Sequence, residues 1–271
     1  MKQARNSDWL FHTYMVIFLL YMLVPLVIMG GAAFNDQRFP SILPWKGFTL
    51  RWFGELFADT RMWTAFLNTL LVAVAVVVIS VPIGTAGAIL INSLGGKSRS
   101  VVYALMVAPI LTPGAVIGIS TLLFWNTFGV GAGLHLSVLG QVSFIASFVT
   151  LLVLARLQSF DRGLEEAALD LGASHGQVMR RILLPHLYPA IGAGAAIGFF
   201  QSIENFNVTL FTRGTYDTLT VYVFSKVRSG ITPTINALAL ILIAFTLVCA
   251  VAYEINRRRS VRRAAMLGRV G

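Results

Sequence analysis

Along most of this chain hydrophobic positions run in long blocks rather than alternating with polar ones. Six blocks stand out, at about 14–34, 64–93, 101–124, 139–157, 187–206 and 234–254. A bilayer's hydrocarbon core is about 30 Å thick, so a helix needs roughly 20 mainly apolar residues to cross it. The blocks therefore predict six transmembrane helices and an all-α membrane protein. The second block is too long to stand upright and contains Pro82 behind Ser80, which predicts a kink or a tilt. Lys2 and Arg5 before the first block resemble the basic start of a signal peptide. The block is about twice the length of such a peptide's apolar core, which favours an uncleaved anchor.

Composition agrees with a lipid setting. Of 271 residues 56% are hydrophobic and 12% charged, about half the charged share of soluble domains. The net charge of +10 raises nucleic acid as a partner, and the placement of the basic residues removes it. With the N-terminus cytoplasmic, fourteen of the 21 lysines and arginines fall on the cytoplasmic side, six of them in the tail (Arg257, Arg258, Arg259, Arg262, Arg263 and Arg269). Seven fall outside. That is the positive-inside bias, and it places both termini in the cytoplasm of a multi-pass cell (inner) membrane protein. The expected layout is a cytoplasmic N-terminus at 1–13, a membrane domain at 14–254 and a basic tail at 255–271.

Catalytic chemistry is not signalled. The one cysteine, Cys249, lies in an apolar block, and the four histidines are scattered without metal spacing. No G-x-x-x-x-G-K-[ST] loop is present to cradle phosphates. No internal repeat points to a secondary transporter. Glycines at 84, 87, 194 and 198 offer close helix approach.

The connection between the fourth and fifth blocks, 158–186, differs from the others. Leu164, Ala167, Ala168 and Leu171 form an apolar stripe at i, i+3, i+4, i+7. Asp161 is placed to cap this helix, with Glu165 and Glu166 in its first turn, and Gly172 to end it. Ser174 and Gln177 form a possible capping box for a second short helix that stops at Pro185. The product is a cytoplasmic hairpin with one apolar face. That face fits a partner surface, the protein's own bundle or the membrane interface.

A family resemblance rests on these residues. Glu166-Ala167-Ala168, three residues, Gly172, nine residues, Ile182, one residue, then Leu184-Pro185 resembles the signature of permease subunits of binding-protein-dependent ABC importers. Asn68-Thr69 is similar to the start of that family's core, and Pro109 with Pro113 to its proline pair opening the next helix. The resemblance implies a type I ABC importer permease fold, with 158–186 as the coupling helix seated on an ATPase subunit. It makes Glu166 the interface acid and Gly172 the turn glycine. The docking face assigned to Leu164, Ala167, Ala168 and Leu171 comes from the apolar stripe. The implied partners are a second homologous permease, two ATPase subunits and an extracytoplasmic solute-binding protein. Membrane lipid surrounds the chain. No cofactor is expected in this chain, ATP and Mg²⁺ being bound by the ATPases.

Residues 199–243 resemble the spermidine/putrescine branch, whose relatives also include importers of aminobutyrate or aminoethylphosphonate. Phe200-Gln201-Ser202-Ile203-Glu204-Asn205 is similar to that branch's Ser-x-Asp-Asp/Glu run, with Asn205 where a second acid is usual. Gln201, Glu204 and Asn205 are expected on one helical face at i, i+3, i+4. They are candidates for the translocation pathway, because an ionisable residue within a span tends to face a cavity or a partner. Two readings of Glu204 stay open: a cavity acid, or a structural carboxylate paired in the partner permease.

Overall fold

A computed structural model describes residues 2–267, and side chains over 9–259. The side chains of Lys2, Arg5, Arg262 and Arg263, and Arg269 altogether, lie outside the described residues. The helices in chain order are α1 (Lys2–Phe34), α2 (Arg51–Ala58), α3 (Thr60–Ser93) and α4 (Gly96–Leu111). They continue with α5 (Gly114–Asn126), α6 (Leu134–Leu157), α7 (Arg162–Asp170) and α8 (His175–Val178). A π-helical turn, Met179–Leu183, joins α8 to α9 (Leu184–Ile203), followed by α10 (Asn207–Thr212), α11 (Leu219–Ser229) and α12 (Pro233–Leu267). Among the described residues five helical stretches are long and apolar enough to cross a membrane, six if the bent pair α4–α5 is one span.

Two compact units are distinguished, one from residues before Arg61 and after Tyr222, the other Arg61–Tyr222. In the first, α12 packs against α1 and α2. Gly30 admits Leu240 Cδ1 at 3.7 Å from where a Cβ would stand, and Lys226 pairs with Asp59 at 2.9 Å.

The second unit is built around α6, which packs against α4, α5, α9 and α10. Lipid tails are as apolar as leucine, so close packing and interhelical hydrogen bonds must hold such helices together. Ile145, Val149 and Val153 of α6 are fully buried. A Cβ on Gly84 of α3 would stand 2.6 Å from Val149 Cβ, and one on Gly198 of α9 2.8 Å from Ile145 Cγ2. The glycines thus permit the approach expected of them. Asn68 donates to the Asp217 carbonyl at 2.9 Å, and Thr69 Oγ1 accepts from Leu219 N–H at 2.7 Å. Asp217 is also paired with Arg61 and Arg213. The Asn68-Thr69 pair thus ties segment 217–219 to the start of α3.

Two expectations are corrected. The third span is not a continuous helix over 101–124: α4 and α5 meet at 105°. Pro113 has no N–H to donate and pushes the preceding residue out of the helical region. Thr112 accordingly adopts φ −89°, ψ 128°. Its hydroxyl donates to Ala108 O at 3.1 Å.

The second correction is at Pro185, which does not stop a helix. His175–Ile203 forms one 29-residue helical stretch. The π turn before it has Leu184 N–H donating to Met179 O, one residue wider than an α turn. That widening accommodates a proline, which cannot donate and whose ring crowds the carbonyl four residues back. By contrast α3 runs unbroken through Pro82 for 34 residues. At 1.5 Å per residue it is about 50 Å long, which demands tilt rather than a break.

Candidate functional site

Two places gather the residues singled out above. The first is the hairpin of α7 and α8. Asp161 Oδ1 accepts from Gly163 N–H at 2.9 Å and caps α7, an arrangement that stabilises a helix by about 1 kcal/mol. Glu165 lies in the first turn, while Glu166 falls just beyond it. At the other end Gly172 takes φ +85°. Its N–H donates to Leu169 O at 2.9 Å, and Ala173 N–H donates to Ala168 O at 3.0 Å. This pair of bonds closes a helix through a left-handed C′ residue. The capping box follows at once: Ser174 N–H donates to Gln177 Oε1 at 2.8 Å, and Gln177 N–H to Ser174 Oγ at 3.3 Å.

The hairpin is therefore fixed by its own backbone, with little help from packing. Leu164 is 55% exposed and Leu171 89%. Glu166 and Ala167 are exposed and Ala168 is half-buried. A shallow cavity of about 300 Å³ opens beside Leu171 and Gly172, bounded by Gln177, Val178, Arg181 and Ile182. The stripe is an ordered apolar surface left open at a hairpin.

The second place is a cleft of about 300 Å³ in the α6-centred unit. Thr112, Gly114 and Ile117 line it from the α4–α5 break, Phe144 from α6, and Gln201, Glu204 and residues 205–208 from the end of α9 and the start of α10. The helix ends at Ile203, so Gln201, Glu204 and Asn205 do not share a helical face as expected. Glu204 is the C-cap residue, and Asn205 lies in the turn beyond. The cleft still brings all three together.

Their states differ. The Glu204 side chain is exposed to the cleft. It sits at a helix end, one residue beyond the helical stretch His175–Ile203. Asn205 Oδ1 accepts from Val208 N–H at 3.1 Å, which holds the start of α10. Gln201 Oε1 is buried and has no hydrogen-bond partner. The exposed Glu204 carboxylate gives the cleft an acceptor suited to a solute group that donates hydrogen bonds or carries positive charge.

Sequence reasoning missed the groups that hold this side of the cleft. Gln141, fully buried on α6, donates from Nε2 to Thr209 Oγ1 at 2.9 Å and accepts at Oε1 from Ser202 Oγ at 2.6 Å. One turn earlier Ser137 and Thr212 share a hydrogen bond of 2.9 Å. The available signal was an amide inside an apolar block, where a polar side chain needs a partner.

With this geometry in place, comparison with known proteins decides the class. Residues 80–265 match the model of the binding-protein-dependent transport system inner membrane component family. The chain belongs to that family. The matched region runs from Ser80 in α3 into α12 and contains both the hairpin and the cleft. The chain is 33% identical over 252 residues to the putrescine transport system permease protein PotI of Escherichia coli, covering 90% of this chain and 89% of that protein. It is 29% identical over 250 residues to the spermidine/putrescine transport system permease protein PotC of Haemophilus influenzae, covering 92% and 96%. A solved bacterial ABC transporter involved in the import of the acidic polysaccharide alginate superposes with a TM-score of 0.74 at 20% identity, covering 94% of this chain and 98% of that one. The chain is thus an ABC importer permease subunit with the type I permease fold, a transport component of the inner membrane.

Proposed function

We propose that this permease imports a small amine-bearing solute, a polyamine or a related amine or zwitterion, delivered by an extracytoplasmic solute-binding protein. It works beside a second homologous permease and above two ATPase subunits that bind and hydrolyse ATP with Mg²⁺. Both termini face the cytoplasm. The observation that carries the coupling is the open apolar face of the hairpin: Leu171 is 89% exposed on a turn held rigid by the Gly172 closure. Leu164, Ala167, Ala168 and Leu171 make the docking face, with Glu166 at its edge and Gly172 setting the angle of the two helices. Closure of the ATPases on ATP moves this rigid hairpin, and the bundle switches access as a body.

The amine reading is supported by the Glu204 carboxylate exposed in the cleft and by the putrescine and spermidine/putrescine transport systems to which the PotI and PotC relatives belong. The neutral Asn205 reduces the charge offered to a polycation and favours the zwitterionic end of the range, with aminobutyrate or aminoethylphosphonate as the alternatives.

Reconstitution with the ATPase and binding protein tests both parts. Leu171→Asp should abolish ATPase retention and uptake while leaving the permease's own thermal stability unchanged. Full retention of the ATPase by that variant would refute the docking face. Competition of uptake by putrescine, spermidine and aminobutyrate ranks the solutes, and indifference to all three rejects the amine reading.

A further inference from the structure

The segment 36–50 after α1 is not a slack connection. Asn35, fully buried, donates from Nδ2 to the carbonyls of Ser41 at 2.8 Å and Pro44 at 3.1 Å, and accepts at Oδ1 from Lys46 N–H at 2.8 Å. Asp36 N–H donates to Gly47 O at 3.0 Å, and Thr49 N–H to Phe34 O at 2.8 Å. Trp52 Nε1 donates to Asn35 O at 2.9 Å. The rings of Phe34 and Phe48 stack at 5.3 Å.

Every one of these bonds returns the loop to Phe34, Asn35 or Asp36. Phe34 is the last residue of a span, Trp9–Phe34, so residues 41–49 cannot stand away from the level at which α1 leaves the bilayer. At that level the loop exposes Phe39 (72%), Leu43 (76%), Trp45 (50%) and Phe48 (68%). So much ordered apolar surface in one short loop calls for a covering medium. The exposed cations Arg38 and Lys46 are interleaved with it. Aromatic side chains mixed with basic ones at the end of a span match the headgroup layer, where rings lie against acyl chains and cations reach phosphates.

We propose that the Asn35-pinned loop is a membrane-interface anchor, its Leu43 and Trp45 side chains seated in the phospholipid headgroup–acyl boundary. Lipid is favoured over a protein partner because the surface is continuous with α1, whose side chains are themselves largely exposed along the span. The fold supplies the rigidity: an ordered loop inserts without first losing conformational freedom. In effect the outer end of α1 is held at fixed depth.

The test uses the intact complex in phospholipid nanodiscs. Leu43→Cys and Trp45→Cys, each in a Cys249→Ala background, are spin-labelled, and their accessibility to oxygen is compared with that to a water-soluble nickel chelate. Leu19→Cys in mid-span supplies the lipid reference, and Asp170→Cys on the hairpin, read in the permease freed of its ATPases, the water reference. The expected oxygen-to-nickel ratio at 43 and 45 is several-fold above that at 170 and approaches that at 19. A ratio equal to that at 170 at both positions overturns the proposal. So does a water-like label that becomes immobilised only on adding solute-loaded binding protein, which would make the loop a protein dock. Neither side chain makes a hydrogen bond among the described residues, and two positions guard against one variant failing to assemble.

Discussion

Ser202, in the last turn of α9, donates its hydroxyl hydrogen to Gln141 Oε1 on α6 at 2.6 Å, while the other end of the same amide holds Thr209 on α10. One side chain thereby fastens both ends of the turn that carries Glu204 and Asn205. In a bundle without a strong hydrophobic drive between helices, such bonds decide where a turn sits.

Gln141→Leu removes both bonds and leaves two buried hydroxyls unsatisfied, a loss of about 1–3 kcal/mol. Ser202→Ala removes one bond and one of the stranded groups with it, and should cost less. Thermal denaturation of the purified complex checks the order. A Gln141→Leu protein as stable as the parent would show that the amide is dispensable.

Gly172→Val should stop transport. No atom of this chain lies within 4 Å of a Cβ at this position, so within this chain the effect is conformational, from a β-branched residue at φ +85° at about 1–2 kcal/mol or more. Asn tolerates that region better, and Gly172→Asn should retain more uptake than Gly172→Val. Membrane insertion should be normal in both. Equal uptake by the two variants would contradict a turn-based explanation.

Glu204→Gln keeps shape and hydrogen bonding but removes the charge. No salt bridge to Glu204 forms among the described residues, so within this chain the substitution leaves no cation uncompensated. Uptake should fall while the complex keeps its melting temperature and basal ATP hydrolysis. Dissociation of the complex would instead reveal a buried cation in the partner permease, at about 3–5 kcal/mol, and would remove Glu204 from the pathway.

Topology is checked by single cysteines at Arg38 and His175 in a Cys249→Ala background, both exposed positions. An impermeant thiol reagent on spheroplasts should label position 38 and spare 175 until lysis. Labelling of 175 in intact spheroplasts would reverse the orientation drawn from the basic residues.

The local features of this protein were legible because they depend on neighbours in sequence. Span lengths follow from the thickness of hydrocarbon, which is why α1, α3, α6 and α12 each contain their predicted blocks. The hairpin was legible for the same reason: Asp161, Gly172, Ser174 and Gln177 act on backbone groups within five residues. Pro113 and Pro185 were read less well, since a proline's effect depends on whether the flanking helix can bend or widen. At 113 the chain broke by 105°, and at 185 it absorbed the ring in a π turn.

The cleft was beyond the reach of pattern. It joins residues 112–117 to 201–208 through Phe144, and no periodicity links positions nearly ninety apart. The sequence by itself determined a membrane bundle, its hairpin and a polar stretch at the end of a span. Only the tertiary structure decided that the stretch is a helix end opening on a broken helix, because Gln141 on α6 and the turn between Ser202 and Thr209 meet solely through packing in three dimensions.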